Sequence, residues 1–266
     1  MASDDLINLY GRYLHRRKSA TEATVSGHGR VLRQADRDLP FGLDAALENE
    51  VEDWLWRDDL EPNSRSAYYT SLTGFYRWAV NVAGVLTIDP TAKIERPKVA
   101  AGKPRVAKDE HVASIVRDAR EPYRLWGQLA AYAGLRAIEI WRLHREHATP
   151  ERLHVLRGKG NKTRYIPMHP VLWTAMQALP EGPITGKPNP HALANAFLIY
   201  CQRQGMRQMS LHRMRGWFAT RSYQASKDIR AVQFNMGHSN PGVTARYIEL
   251  DDQQIHAVIA GLPTFS

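Results

Sequence analysis

The sequence predicts a mainly α-helical protein of two domains with one small β-hairpin. Apolar residues recur at helical spacing through most of the chain. One run, LHVLRGKGNKTRYIPM, instead alternates around a Gly-Lys-Gly-Asn turn, as a hairpin does. Between two helical stretches lies ERPKVAAGKPRVAKDE (95–110), with two Pro, one Gly and five cations, the composition of a linker. A chain of 266 residues also has the length for about two domains with separate cores.

The first domain is expected over 1–97 as a helical bundle. Leu6, Leu9, Tyr10, Tyr13 and Leu14 share one helical face, and helical pieces follow around 21–36 and 43–56. A helix over 62–82 opens on Pro62, whose fixed φ suits a first turn, and points Leu72, Phe75, Tyr76 and Ala79 inward. The linker is placed at 98–107 and the second domain at 108–266. Within the latter the pattern predicts helices at 108–120 and 122–145, then the hairpin. Further helices are expected at 170–179, 191–204, 211–225, 228–236 and 240–248.

Composition excludes several classes of function. No stretch approaches the ~20 apolar residues of a membrane span, and the acidic start MASDDLINLY has no signal-peptide core. The expectation is a soluble, cytoplasmic protein. With Cys201 as the sole cysteine there is neither an intrachain disulfide nor a cysteine-based metal site. No GxxxxGK[ST] loop is present for a nucleotide. The net charge of +9 is unevenly spread: residues 1–97 hold 12 Lys and Arg against 15 Asp and Glu, and residues 98–266 hold 24 against 12. A cationic second half suits a polyanion, since neutralised phosphates release counterions. In the first domain DDLE (58–61) with Glu48, Glu50, Glu52 and Asp53 forms an acidic patch that cannot face a polyanion. Arg12, Arg16, Arg17, Arg65 and Arg77 are the candidates on its other faces.

Five ordered segments of the second half gather unusual chemistry: AAYAGLRAIEI with Arg136, RGKGNKTRYIPM with Lys159, SLHRMRGWFAT with His212 and Arg215, MGHSN with His238, and VTARYIEL with Tyr247. In this order they resemble the catalytic domain of the tyrosine recombinase (phage integrase) family. That family combines a GLRxxE Arg, the Lys of a GKGxKxR hairpin, HxxR, an LGH-type His and a final Tyr, and this chain matches at all six positions. The nine positions from His238 to Tyr247 also follow the family. The chain departs from it where Gly216 stands for a frequent second His and Trp217 for a small polar residue. More loosely, SLTGFYRWAVNVAGVLTIDPTAKIERPK resembles the end of the family's SAM-like core-binding domain.

The resemblance implies a site-specific recombinase that cuts and rejoins DNA through a covalent 3′-phosphotyrosine. An unperturbed phenol, with a pKa of about 10, is a poor nucleophile at neutral pH, so Tyr247 needs cations and a proton acceptor around it. Arg136 and Arg215 would clamp the two non-bridging oxygens of the transition state with paired hydrogen bonds. Lys159 would protonate the departing 5′ hydroxyl. The alternative is that Lys159 only touches backbone phosphate alongside Lys162 and Arg164, and Lys162 is its rival as the acid. His212, one helical turn before Arg215, would accept a proton or a hydrogen bond, and His238 would donate to the scissile phosphate. Glu139 would orient Arg136.

Two arginines and a lysine would do the charge neutralisation for which other nucleases use Mg²⁺, so no metal, ATP or other cofactor is expected. Implied partners are double-stranded DNA with an inverted-repeat core site and a homotetramer on that DNA, with or without an accessory directionality factor. The tail stripe Ile255, Val258, Ile259 and Leu262 would dock in a neighbouring subunit or pack on its own domain. Implied roles are integration and excision of a mobile element, or Xer-type dimer resolution. Rival readings are a type IB topoisomerase, which shares the chemistry without exchanging partners, and a non-catalytic DNA-binding regulator, which leaves the spacing from His212 to Tyr247 unexplained.

Overall fold

The computed structural model describes residues 3–98, 106–156 and 163–237. It divides into two compact units, Met1–Ala101 and Gly102–Ser266. The fold is mostly helical with one two-stranded antiparallel sheet among the described residues. None of the described helices is long and apolar enough to cross a membrane.

The first unit holds α1 (Ser3–Lys18), α2 (Glu22–Asp38), α3 (Glu48–Trp56) and α4 (Pro62–Asn81). Thr21 caps α2 by accepting from the Thr24 amide at 3.3 Å, and Pro62 occupies the first turn of α4. Leu32, Leu55, Leu72, Phe75 and Tyr76 are fully buried where the helices meet. Each such side chain contributes about 1.5–3 kcal/mol on burial. The helix expected over 43–56 starts only at Glu48. The reason lies in the backbone of Leu43: its N–H donates to Asp36 Oδ1 at 3.0 Å and its carbonyl accepts from Tyr76 Oη at 2.9 Å. The N–H is tied back to the end of α2 and the carbonyl across to α4, so these groups are engaged in tertiary bonds and not in a first helical turn. Arg65 also departs from expectation. Its guanidinium donates to the carbonyls of Leu55, Arg57 and Leu60 at 2.8, 3.3 and 3.0 Å, closing the end of α3 rather than facing a polyanion.

The second unit runs α5 (Asp109–Asp118), α6 (Tyr123–Tyr132), α7 (Ala137–Trp141), β1 (Arg152–Val155), β2 (Arg164–Pro167), α8 (Pro170–Gln177), α9 (Pro190–Arg203), α10 (Leu211–Ser226) and α11 (Ile229–Met236). Helix α6 lies at its centre, against α5, α8 and α10, with Trp126 and Leu129 buried in a core shared with Ile140, Leu153, Ile166, Phe197 and Met214. The strands pair from Arg152↔Pro167 to Val155↔Arg164. The expected hairpin tip with Lys159 falls outside the described residues, as do the expected helix over 240–248 and the tail. Helices α8 to α11 begin and end within two residues of expectation. Side chains of Asn189, Ser210 and Asp228 cap α9, α10 and α11.

The single helix expected over 122–145 is broken. Helix α6 stops at Tyr132, Gly134 turns left-handed at φ +60°, and α7 begins at Ala137. A Cβ at Gly134 would stand 2.5 Å from Phe218 Cδ1. Only glycine tolerates both that φ and the ring of α10 pressed against it. The break places Arg136 at a helix entrance instead of mid-helix.

Candidate active site

Arg136 is the residue before α7, in extended backbone with φ −79° and ψ 157°. Its own N–H donates to Glu139 Oε2 at 2.8 Å and its Nη1 to Glu139 Oε1 at 2.9 Å. Glu139, three positions on, thus closes the first turn of α7 and orients the guanidinium in one stroke. Helix α10 buries Leu211, Met214 and Phe218, which fixes where His212 and Arg215, one turn apart, emerge. Arg215 is 2% exposed; its guanidinium donates to the carbonyls of Gly134 and Met236 and lies 3.5 Å from Glu139 Oε2. The carbonyl freed by the Gly134 break is therefore the one that receives Arg215.

A third arginine joins them. Arg164 shares the inward face of β2 with Ile166 and is 8% exposed. It grips Glu139 with both terminal nitrogens, at 2.9 and 3.1 Å, and its Nε donates to the Asn235 carbonyl at 2.9 Å. A phosphate contact by Arg164, the role expected for it beside Lys159 and Lys162, does not fit a guanidinium whose three nitrogens all donate to Glu139 and Asn235. Arg164 is also what sequence reading undervalued. The available signal was its parity with Ile166 in an alternating strand.

The three guanidiniums end on three successive carbonyls. Arg164 reaches Asn235, Arg215 reaches Met236, and Arg136 reaches Gly237 at 3.5 Å. These carbonyls close α11 and have no acceptor role left within the helix, and its C-terminal end is the negative end of the helix dipole. Gly237, in left-handed conformation at φ +60°, ends the helix there, and His238 is the next residue.

Burial alone would raise the Glu139 carboxyl, but hydrogen bonds and charge from Arg164, then Arg136 and Arg215, outweigh it and hold the pKa below the ordinary value. His212 is shifted down from 6.5, first by desolvation and then by the charges of Arg215 and Arg136, so at neutral pH the imidazole is unprotonated. Arg136, His212 and Arg215, together with Ile138, Ala194 and Leu198, line one cavity of about 520 Å³. Three of the six expected site residues are thereby brought to one wall, while Lys159, His238 and Tyr247 lie outside the described residues. Trp217, on another side of α10, donates to Asp109 Oδ1 at 2.5 Å beside the Arg221–Asp109 ion pair and fastens α10 to α5.

A neutral proton acceptor beside two arginines, in a concave wall, suits the activation of a nucleophile against an anionic ester. Comparison with known proteins agrees. The profile of the phage integrase family matches residues 107–254. The tyrosine recombinase XerC of Haemophilus influenzae is 29% identical over 281 residues, covering 95% of both chains. Among solved structures, a lambda integrase dimer bound to a COC' core site superimposes with a TM-score of 0.76 at 17% identity, over 95% of this chain and 99% of that one. A lambda integrase tetramer bound to a Holliday junction gives 0.74 at 17% identity, over 92% and 76%. At these identities the two structures speak for the fold alone. The match over more than half of the chain shows the family: this protein belongs to the phage integrase family and is a tyrosine recombinase.

Proposed function

We propose that the protein cuts and rejoins double-stranded DNA at specific sites, with Tyr247 as the nucleophile. The observation that carries this is the convergence of Arg136, His212 and Arg215 on one cavity wall. The Tyr247 hydroxyl attacks phosphorus and its proton passes to neutral His212. Arg136 and Arg215 donate to the non-bridging oxygens as charge builds there, contacts of a kind worth about 3–4 kcal/mol apiece. The P–O5′ bond breaks as Lys159 hands its proton to the leaving oxygen, and His238 donates to the phosphate. The resulting 3′-phosphotyrosine retains the energy of the ester, so a second 5′ hydroxyl reverses the steps on a new partner strand without ATP.

Residues 108–266 carry this chemistry, and residues 1–97 hold the DNA from their own basic side, through Arg12, Arg16, Arg17 and Arg77. The partner is DNA with an inverted-repeat core, taken by a homotetramer whose 251–266 tails pass between subunits. The lambda integrase structures, one on a core site and one a tetramer on a junction, support that assembly by likeness of fold. The role is integration and excision of a mobile element. Near full-length likeness to an Xer recombinase favours dimer resolution as the second reading, and resolution of two like sites on one circle separates the two.

The test is a nicked suicide duplex, cut from DNA flanking the gene and incubated in EDTA with wild type and Tyr247→Phe. A covalent adduct with wild type alone supports the proposal. An adduct with both proteins means that another residue is the nucleophile.

A further inference from the structure

We infer that Arg164 is a positioning residue for the phosphate clamp, holding Glu139 and the end of α11 in the relation that Arg136 and His238 require. The inference rests on the site reading proposed above. Arg164 is not part of the cavity wall, yet like Arg215 it joins three separate elements. It stands on β2, grips the Glu139 carboxylate of α7 with a two-pronged fork, and holds the carbonyl of Asn235 at the end of α11. The same carboxylate holds the backbone and the side chain of Arg136.

Gly237 bears the mark of this packing. A Cβ there would lie 2.8 Å from Arg164 Nη1, 3.0 Å from Cζ and 3.1 Å from Nε. The residue directly before His238 is therefore seated against the Arg164 guanidinium, and a side chain at 237 would push that group away.

Removing Arg164 has two effects on the same centre. Glu139 loses its bidentate partner and turns its charge onto Arg136 and Arg215, the two groups meant for the phosphate. The Asn235 carbonyl loses its donor, so the approach to His238 relaxes. Lysine cannot replace the fork, because its compact ammonium has no planar, two-pronged face to hold the carboxylate while a third N–H reaches the Asn235 carbonyl. Displacement of a positioned group by about 1 Å costs on the order of 100-fold in rate.

The experiment uses full-length Arg164→Met and Arg164→Lys with the nicked duplex cut from flanking DNA. Single-turnover adduct formation and DNA affinity are measured separately. A second substrate carries sulfur in place of the 5′ bridging oxygen, so that its thiolate leaves without a proton. Expected is a loss of about 10- to 100-fold in adduct rate for Arg164→Met on both substrates, with affinity near wild type and partial recovery in Arg164→Lys.

Gly237→Ala provides a second arm that leaves Arg164 in place. It slows wild type by a larger factor than it slows Arg164→Met: the strain of a Cβ at φ +60° is common to both, and the part that comes from displacing the guanidinium is absent without Arg164. If Arg164→Met does not fold, the same comparison is made against Arg164→Lys. An unchanged rate in a folded Arg164→Met protein overturns the inference. So does a loss that the sulfur substrate restores, which would place Arg164 on the leaving-group side, or additive effects of the two substitutions. Failure of wild type itself to form an adduct would strike the proposed function instead, and this inference with it.

Discussion

Glu139→Gln is the most informative single substitution for the architecture of the site. The carboxylate it replaces is 0% exposed in its side chain and accepts four hydrogen bonds of 3.1 Å or less from Arg136 and Arg164, with Arg215 at 3.5 Å. Glutamine keeps the shape but turns an NH₂ toward guanidinium donors and leaves the buried Arg164 and Arg215, and the half-buried Arg136, without their anion. Removing one partner of a buried pair costs about 3–5 kcal/mol. At about 2–4 °C per kcal/mol for a domain of this size, the melting temperature falls by roughly 6–20 °C.

Arg33→Ala is the internal control. Its pair with Asp4, at 2.7 Å, is 45% and 65% exposed, and such surface pairs contribute about 0–1 kcal/mol. The sign with pH is also fixed. Because the pKa of Glu139 is depressed, its contribution is fully present above the ordinary carboxylate value of 4.5 and fades as pH falls through its folded value. Calorimetric melting of wild type and Glu139→Gln should therefore differ most near neutrality and converge in acid. A drop no larger than that of Arg33→Ala, or one independent of pH, would refute the claim that a buried carboxylate organises the site.

Other changes separate support from chemistry. Because His212 is shifted down from 6.5, adduct formation at sub-saturating DNA should lose its acid limb only below that pH; a midpoint at or above 6.5 contradicts a neutral His212 in the free enzyme. Gly134→Ala forces a Cβ to within 2.5 Å of Phe218 at φ +60° and should cost about 2–4 kcal/mol in urea unfolding; a cost under about 1 kcal/mol would mean that the break between α6 and α7 is soft. Arg65→Ala should destabilise by about 1–3 kcal/mol by removing the side-chain donor to the carbonyls of Leu55 and Leu60 and leave the salt dependence of DNA binding unchanged. Arg12→Ala should do the reverse, and a gel-shift salt titration reads both.

Much of this was legible in the residues, and where legibility ended is physically informative. Helices with an apolar stripe and a local start signal, Pro62 for α4 and the capping side chains of Ser210 and Asp228 for α10 and α11, follow directly from spacing, because burial and helix starts are local signals. The break at Gly134 was not legible, since AAYAGLRAIEI is apolar enough to continue a helix and the cause sits 84 residues away at Phe218. Leu43 was missed for the same reason: its carbonyl answers to Tyr76 across the bundle. In the site, the spacing of His212 and Arg215 foretold a shared helical face, and Glu139 was expected to orient Arg136. That the same carboxylate also serves Arg164 and Arg215 depends on three elements meeting, which no local pattern encodes.

The charge of the cluster connects its stability to its chemistry. Three guanidiniums around one buried carboxylate carry a formal +2, a costly concentration of like charge at low exposure. The protein offsets it in the one direction available without adding an anion, by placing the carbonyl end of α11 against all three groups. Backbone carbonyls carry only partial charge, so they satisfy hydrogen bonds without neutralising the site. A phosphate whose charge grows toward −2 during attack is the complement of what remains. Had the cluster held two carboxylates for three arginines, it would be more stable empty and weaker at stabilising that anion. The single Glu139 leaves the fold less than fully compensated at the place where, under the proposed function, the substrate's charge develops.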